Sequence, residues 1–418
     1  MMEYGLIGEK LGHSFSKIVH SYLADYNYDL KEIKKEDLDA FMQRADFKAI
    51  NVTIPYKETV IPYLDFIDEK AQKIGAVNTV VNKDGKLFGY NTDYLGLKAL
   101  IEFSGLEIKD KKVLILGSGG TSKTAYAVVC DMGAKEVLKV TRSQRKDYIS
   151  YGDAQNLHND ADVIINATPC GMYPNVGISP IDIGGFEKLS GVIDAIYNPL
   201  CSKLVLEARK RGITAMGGLY MLVSQAVFGV EKFLDISVCS EKTKEVYYKV
   251  LREKSNIVLV GMPSCGKTTI GKELSKILKK DFLDTDCEIV KKAGMPIPLI
   301  FEKFGEEYFR RLESEVIFEA SMLNNKIIST GGGAVLNPNN TDNLKGNGII
   351  FFIDRPIEML TATDDRPLSS NIEDLEKRYK ERYNIYLSCA DAVIKNDCEL
   401  ENAVEKIKEE FLSENFSY

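Results

Sequence analysis

Four residues at fixed spacing after an apolar strand make the clearest chemical statement in this chain. Gly261, Gly266, Lys267 and Thr268 complete G-x-x-x-x-G-K-T within "NIVLVGMPSCGKTTIG". Glycines let backbone amides approach phosphate oxygens, and a following helix adds its positive end. The lysine neutralises β/γ-phosphate charge, and the threonine hydroxyl suits magnesium. "FLDTD" then supplies Asp284 and Asp286, one suited to order magnesium water and the other to meet an acceptor hydroxyl. Arg310, the glycines 331–333 of "STGGG", Arg366 and Arg382 follow. Arginines of this kind gather around a carboxylate or a transferring phosphate, although any one alone reads as a solvated helix charge.

A different nucleotide turn stands earlier. "VLILGSGGTS" places Gly117 and Gly119 at a strand-to-helix transition, with Ser122 where a dinucleotide fingerprint has its last small residue. The next strand ends in "VTRSQRK" rather than in an acidic residue. Arg142, with Arg145 and Lys146 beside it, can pair with the 2′-phosphate that distinguishes NADP from NAD. Upstream, Ser14 and Ser16 alternate in "GHSFSKIVH" and can turn two hydroxyls toward a carboxylate. Asn51, Thr53, Lys57, Asn78 and Asp93 add amide, hydroxyl, ammonium and carboxylate groups. Met221 and Gln225 are four apart and share one side of a helix. The set suits a compact polyol acid better than a long apolar ligand.

These residues need elements to position them. "YGLIG", "KAINVTIP" and "AVNTVV" read as strands, and "KIVHSYLADYN" and "TDYLGLKALIEFSG" as helices. From "KKVLILG" onward apolar strands recur between helices, as expected of parallel sheets. "GGLYMLVSQAVFGVEKFL" reads as a helix returning to the first domain, and residues 235–255, rich in Glu and Lys, as a charged helix or linker. With 418 residues and roughly 150 per domain, two or three domains are expected. The boundaries predicted are 1–100 with 218–240 for substrate, 101–217 for a Rossmann-like dinucleotide domain, 241–255 for the junction and 256–418 for a P-loop domain.

Composition excludes several classes. A net charge of −7 without a long basic run argues against a nucleic-acid or anionic-membrane footprint. The eight cysteines lack a close pair, and the three histidines are dispersed, so neither a disulfide scaffold nor an all-histidine metal centre is expected. With no signal peptide and no apolar run approaching ~18 residues, the expected location is the cytoplasm.

From about Asn256 to the C-terminus, the P-loop, "FLDTD", "FGEEYFRRLE", "STGGG", "DDRPL" and "KERYNIY" closely resemble shikimate kinase. The resemblance implies a small P-loop kinase that transfers the ATP γ-phosphoryl group to the shikimate 3-hydroxyl. It implies ATP contacts at Gly261, Met262, Ser264, Cys265, Gly266, Lys267, Thr268, Thr269 and the lid arginine Arg366. Magnesium falls to Thr268 and Asp284, and shikimate to Asp286, Arg310, Gly331, Gly332, Gly333 and Arg382. The stretch around Arg366 is short for a lid and carries an acidic pair before the arginine.

Across about residues 3–235 the motifs resemble shikimate dehydrogenase, which reduces 3-dehydroshikimate reversibly with a nicotinamide cofactor, usually NADP. Substrate contacts implied are Ser14, Ser16, Asn51, Thr53, Asn78, Asp93, Tyr197 and Gln225, with Lys57 as the catalytic lysine. Cofactor contacts implied are Gly117, Ser118, Gly119, Gly120, Thr121, Thr141, Arg142, Ser143 and Lys146, with Asn166, Thr168, Met172, Gly218 and Met221 toward the nicotinamide. Lys17 replaces a usual proline, Thr141 a usual asparagine, and Cys201–Ser202 flank a usual threonine position. Lys57 and Asp93 are both retained.

The expectation is an α/β chain with two unlike nucleotide folds, the first making shikimate with NADPH and the second phosphorylating it with ATP and magnesium. Catalysis falls to Lys57 and Asp93 in one and to Lys267 and Asp286 in the other. The expected partners are the small molecules 3-dehydroshikimate and shikimate, and an assembly of like chains is compatible. The competing readings are a metabolite-binding regulatory scaffold without turnover, and a chain with one active half, including quinate-directed oxidation.

Overall fold

The computed structural model describes residues 2–12, 14–360, 372–397 and 399–414, without the side chains of 372–374. The chain divides into two compact units, Met1–Val250 and Leu251–Tyr418.

The first unit holds two sheets. One contains β1 (Tyr4–Gly8), β2 (Tyr28–Glu32), β3 (Ala49–Val52), β4 (Phe66–Ile67), β5 (Thr79–Lys83) and β6 (Lys86–Tyr90), in the order β2-β1-β3-β5-β6-β4. β1 runs parallel to β2 and β3, whereas β5 is antiparallel to β3 and β6. Successive residues of a strand face opposite sides. Ile7 therefore joins Ile50, Val52 and Val80 in one core, while Leu6 joins Tyr28, Ala49 and Val81 in another.

The second sheet contains β7 (Lys112–Leu116), β8 (Glu136–Val140), β9 (Val163–Asn166), β10 (Gly191–Asp194) and β11 (Thr214–Met216), in the order β11-β10-β9-β7-β8. All its pairings are parallel. A parallel sheet covered on both faces needs continuous apolar runs, and Val113, Leu114, Ile115 and Leu116 are all at 0% exposure. The helix Leu219–Leu234 then packs along the helix Thr92–Phe103, which carries Gln225 back to the first sheet. Tyr247 of the helix Ser240–Lys254 packs edge-on against Phe103 and Tyr220.

The second unit is one parallel sheet of β12 (Asn256–Val260), β13 (Asp281–Asp284), β14 (Lys326–Ser329), β15 (Gly348–Asp354) and β16 (Ala392–Lys395), in the order β13-β14-β12-β15-β16. In both parallel sheets the strand entering the glycine turn, β7 or β12, has neighbours that lead away in opposite directions. Such switch points open a crevice at the carboxyl ends of the strands. No helix among the described residues is long and apolar enough to cross a membrane.

One buried group gives the first unit an acid sensitivity. His20 is 1% exposed, stacks on Tyr28 at 3.7 Å, and shares a 2.7 Å hydrogen bond through Nδ1 with the Tyr26 hydroxyl. Burial pushes its pKa down to about 3. A base held neutral in this way contributes stability above its unfolded value of about 6.5, and that contribution is lost as pH falls toward the folded value. Between pH 7.5 and pH 5, the first unit should lose on the order of 2 kcal/mol more stability in wild type than in His20→Phe. Urea midpoints at the two pH values measure this; parallel losses in the two proteins would refute it.

Candidate active sites

The first site forms where β7 ends. Gly117 has φ +116°, and a Cβ there would lie 3.0 Å from the Ala167 carbonyl oxygen, so the turn after β7 requires glycine. Ser122 closes the turn by donating its hydroxyl to the Gly117 carbonyl at 2.7 Å. The helix Gly120–Asp131 begins immediately, directing its N-terminal amides into the crevice. A cavity of about 510 Å³ opens there, lined by Lys57, Gly117–Thr121, Thr141–Ser143 and Ala167–Pro169 among others. Arg142 lines it at the end of β8, and Lys146 lies outside that lining. The amide-rich turn and guanidinium fit a dinucleotide bearing an extra phosphate.

Lys57 and Asp93 meet at the edge of this cavity, Nζ to Oδ2 at 2.6 Å, with 16% and 10% of their side chains exposed. Asp93 sits in the first turn of the helix Thr92–Phe103, whose positive end favours a carboxylate. Asn91 caps that helix by accepting from Tyr94 N. The backbone carbonyl of Lys57 accepts from Val77 N at 2.7 Å. A Cβ built on Gly120 would lie only 3.7 Å from Lys57 Cδ, so the cofactor turn and the lysine share one wall.

The neighbouring polar residues form a linked set. Asn78 accepts from Thr92 N at 2.7 Å and points its amide at Thr92 Oγ1 and, at 3.4 Å, at Gln225 Oε1. Ser14 accepts from Ser16 N, and a hydrogen bond with Ser14 opposes the burial that raises the Tyr197 phenol. Thr53 follows β3 directly and is half-buried. Asn51 is 3% exposed, and its amide is engaged by Tyr28 Oη, Thr79 Oγ1 and the Asn78 carbonyl. Thr79 Oγ1 also bonds Asn78 and Thr92, so Asn51 joins the same linked set. On the far wall, Asn166 Oδ1 accepts from Thr168 N and Oγ1. Gly218 N donates to the Ile196 carbonyl, Met221 is buried, and Met172 is exposed. Lys17, Thr141, Cys201 and Ser202 lie outside the Lys57–Asp93 contact; Ser202 caps the helix Lys203–Lys210.

The second site repeats the switch-point logic. Gly261 has φ +145°, and a Cβ there would lie 2.7 Å from the Ile353 carbonyl oxygen. Lys267 is 6% exposed and donates to the Gly261 and Met262 carbonyls at 2.9 and 2.8 Å. Ser264 takes φ +62° in the same loop. Met262 and Cys265 are buried at 2% and 0% exposure, and the Cys265 carbonyl accepts from Asn396 Nδ2 at 2.8 Å. Thr268 and Thr269 open the helix Lys267–Leu278. Thr268 Oγ1 donates to Asp284 Oδ2 at 2.9 Å, while Asp284 Oδ1 caps the next helix through Asp286 N. A hydroxyl beside a carboxylate is a hard-oxygen donor pair that suits magnesium, an ion that keeps waters and phosphates as its other ligands. Among the described residues, no cluster of three or more His, Cys, Asp or Glu side chains is arranged to hold a metal.

The acceptor residues converge on the glycine turn. A Cβ on Gly331 would lie 2.7 Å from Asp286 Oδ1 and 3.0 Å from Glu313 Oε1. Gly333 abuts the Arg310 guanidinium, and Arg382 NH1 donates to the Gly332 carbonyl at 3.1 Å. Arg366 lies outside the described residues. Two residues escaped the sequence reading. Glu313 is 2% exposed and pairs with Arg310 at 2.9 Å; burial raises its carboxyl while Arg310 lowers it. Its signal was its place three residues after Arg310 on a helix. Tyr386, four residues after Arg382, donates to the same Gly332 carbonyl.

Known proteins match both units. A family model described as shikimate kinase matches residues 263–412, and one described as shikimate dehydrogenase substrate binding domain matches residues 6–80. A shikimate dehydrogenase (NADP(+)) of Clostridium perfringens is 36% identical over 265 residues, which cover 59% of this chain and 97% of that protein. Among solved structures, a chorismate mutase/shikimate 5-dehydrogenase fusion protein from Clostridium acetobutylicum is 41% identical, with TM-score 0.56, over 60% of this chain and 97% of that one. Shikimate 5-dehydrogenase from Thermus thermophilus, solved with NADP(H) and shikimate, is 25% identical, with TM-score 0.54, over 60% of this chain and 100% of that one. Over its first three fifths the chain therefore belongs to the shikimate dehydrogenase family, and it carries a shikimate kinase domain behind it.

Proposed function

We propose that this chain carries out two successive reactions on one carboxylated ring, reducing 3-dehydroshikimate to shikimate with NADPH and phosphorylating the shikimate 3-hydroxyl with ATP. The observation that carries the reading is the Lys57–Asp93 pair at the wall of the cofactor cavity, held in one chain with the Lys267–Thr268–Asp284 cradle. Residues 1–100 with 218–240 serve the substrate, 101–217 the dinucleotide, 241–255 the junction and 256–418 phosphoryl transfer.

In the first site, bound NADPH supplies the hydride. Lys57 stands as an ammonium, held by Asp93, where a ketone oxygen gaining negative character needs a proton donor. Asp93 anchors that donor and accepts from a substrate hydroxyl. Ser14, Ser16 and Tyr197 hydroxyls receive the ring carboxylate, and Asn78, Thr53 and Gln225 fix the remaining hydroxyls. Arg142, Thr141 and Ser143 hold the 2′-phosphate end of the cofactor.

In the second site, bound ATP and its magnesium supply the phosphoryl group and a counter-charge. Lys267 has two carbonyls to exchange for phosphate oxygens, and Thr268 with Asp284 receives the metal. Asp286 accepts from the attacking hydroxyl, and Arg310 with Arg382 forks the carboxylate. Arg366 completes the phosphate contacts. The Lys57–Asp93 and Thr268–Asp284 contacts support turnover over a scaffold without it.

The two sites should fail independently. Lys57→Met should lower NADPH oxidation by 3-dehydroshikimate by ~100-fold or more while leaving shikimate-dependent ADP release within about twofold. Lys267→Ala should do the reverse, lowering ADP release by ~100-fold and sparing NADPH oxidation. A substitution that removed both activities equally would contradict separate sites.

A further inference from the structure

One fully buried carboxylate of the first unit takes no part in the chemistry above. Asp194 ends β10 at 0% exposure. Its Oδ1 accepts from Asn166 Nδ2 at 3.0 Å and from Ile196 N at 2.9 Å, and its Oδ2 accepts from Ser202 Oγ at 2.6 Å. All three donors are neutral, so the charge is held by hydrogen bonds rather than by a cation. Burial pushes the carboxyl up to about 6, against the pull of those bonds.

One bond leads through Asn166 to Thr168 in the cavity lining, and the other two hold the segments that follow β10. Asn166 gives its Nδ2 to Asp194, which obliges its Oδ1 to face Thr168, whose backbone N and Oγ1 both donate to it. Thr168 Oγ1 accepts in turn from Cys170 N at 3.2 Å. The carboxylate is felt in that loop: burial raises the Cys170 thiol, Arg142 lowers it and Asp194 raises it. Through Ile196 N the carboxylate holds the strand exit that carries Tyr197, and the Ile196 carbonyl accepts from Gly218 N at 2.7 Å. Through Ser202 it fixes the cap of the helix Lys203–Lys210.

A flipped Asn166 amide would set its oxygen against an acceptor-only carboxylate and its NH2 against the Thr168 N–H, so the amide cannot flip while Asp194 is ionised. We infer that Asp194 is a positioning residue that sets the nicotinamide-side wall of the cofactor site, fixing Asn166–Cys170 and Tyr197–Gly218 in register from behind. This rests on the NADP reading of the first site. A carboxylate serving only to hold the fold would support both ends of the cofactor equally. A positioning residue on this wall supports the nicotinamide end alone.

Calorimetric titration of the full chain separates the two. The ligands are NADP⁺ and 2′-phospho-ADP-ribose, the same molecule without its nicotinamide. Asp194→Ala should weaken NADP⁺ by about tenfold and the truncated ligand by less than about twofold. Asp194→Asn keeps an acceptor for Asn166 and Ile196 and can donate to Ser202, so it should restore NADP⁺ affinity to within about threefold of wild type. Ser202→Ala, which removes one donor from the carboxylate at a residue outside the cavity lining, should show the same selective loss at smaller size if Asp194→Ala does not fold. Equal weakening of both ligands, no weakening of either, or an Asn variant no better than Ala would overturn the inference. A wild-type chain that binds the truncated ligand as tightly as NADP⁺ would overturn it too, while leaving the NADP reading standing. Wild-type binding of neither ligand would contradict that reading as well.

Discussion

A carbonyl oxygen at or just past the end of a neighbouring strand crowds the residue that leaves β7 in one nucleotide sheet and β12 in the other. Ala167 O does this to Gly117, and Ile353 O does it to Gly261. Any side chain at either position would push the turn away from the sheet, and both backbones also lie at positive φ, which a side chain disfavours. With glycine in place, the chain turns sharply at a switch point and starts a helix whose amides face the crevice. Everything chemical in the two units is arranged around these two turns. Lys57 comes against Gly120 in one, and Lys267 folds back over Gly261 in the other.

The charges around the turns are arranged on a common plan. Lys57 lies against Asp93, and Arg310 against Glu313 and Glu306. A lone ammonium or guanidinium at such depth would carry a desolvation cost of several kcal/mol. A resident carboxylate offsets that cost before any ligand arrives and fixes where the cation points. Lys267 is held by two backbone carbonyls instead of a carboxylate. Asp194 is the complementary case, an anion held by neutral donors because its role is to hold shape.

Much of this was legible in the sequence because it depends on local spacing. The glycine turns, Lys267 with Thr268, and Arg142 at the end of a strand follow from short motifs whose geometry is fixed by strand, turn and helix. The returning helix that carries Gln225 was legible as an apolar helical run, and Gln225 as a substrate contact through the resemblance. What stayed hidden depends on contacts between distant segments. Glu313 is an ordinary glutamate on a helix until Gly331 brings Asp286 beside it. Asp194 is an ordinary strand end until Asn166, twenty-eight residues away, turns its amide toward it. Asn51 likewise has its amide fixed by distant partners, Tyr28 and Thr79.

The proposed function turns on one ring being accepted by both units. Purified wild-type protein given 3-dehydroshikimate, NADPH, ATP and magnesium should oxidise NADPH and release ADP, and phosphorus NMR should show a single new phosphate monoester on the ring 3-hydroxyl. Oxidation of NADPH without that monoester, or no consumption of either nucleotide, would contradict it.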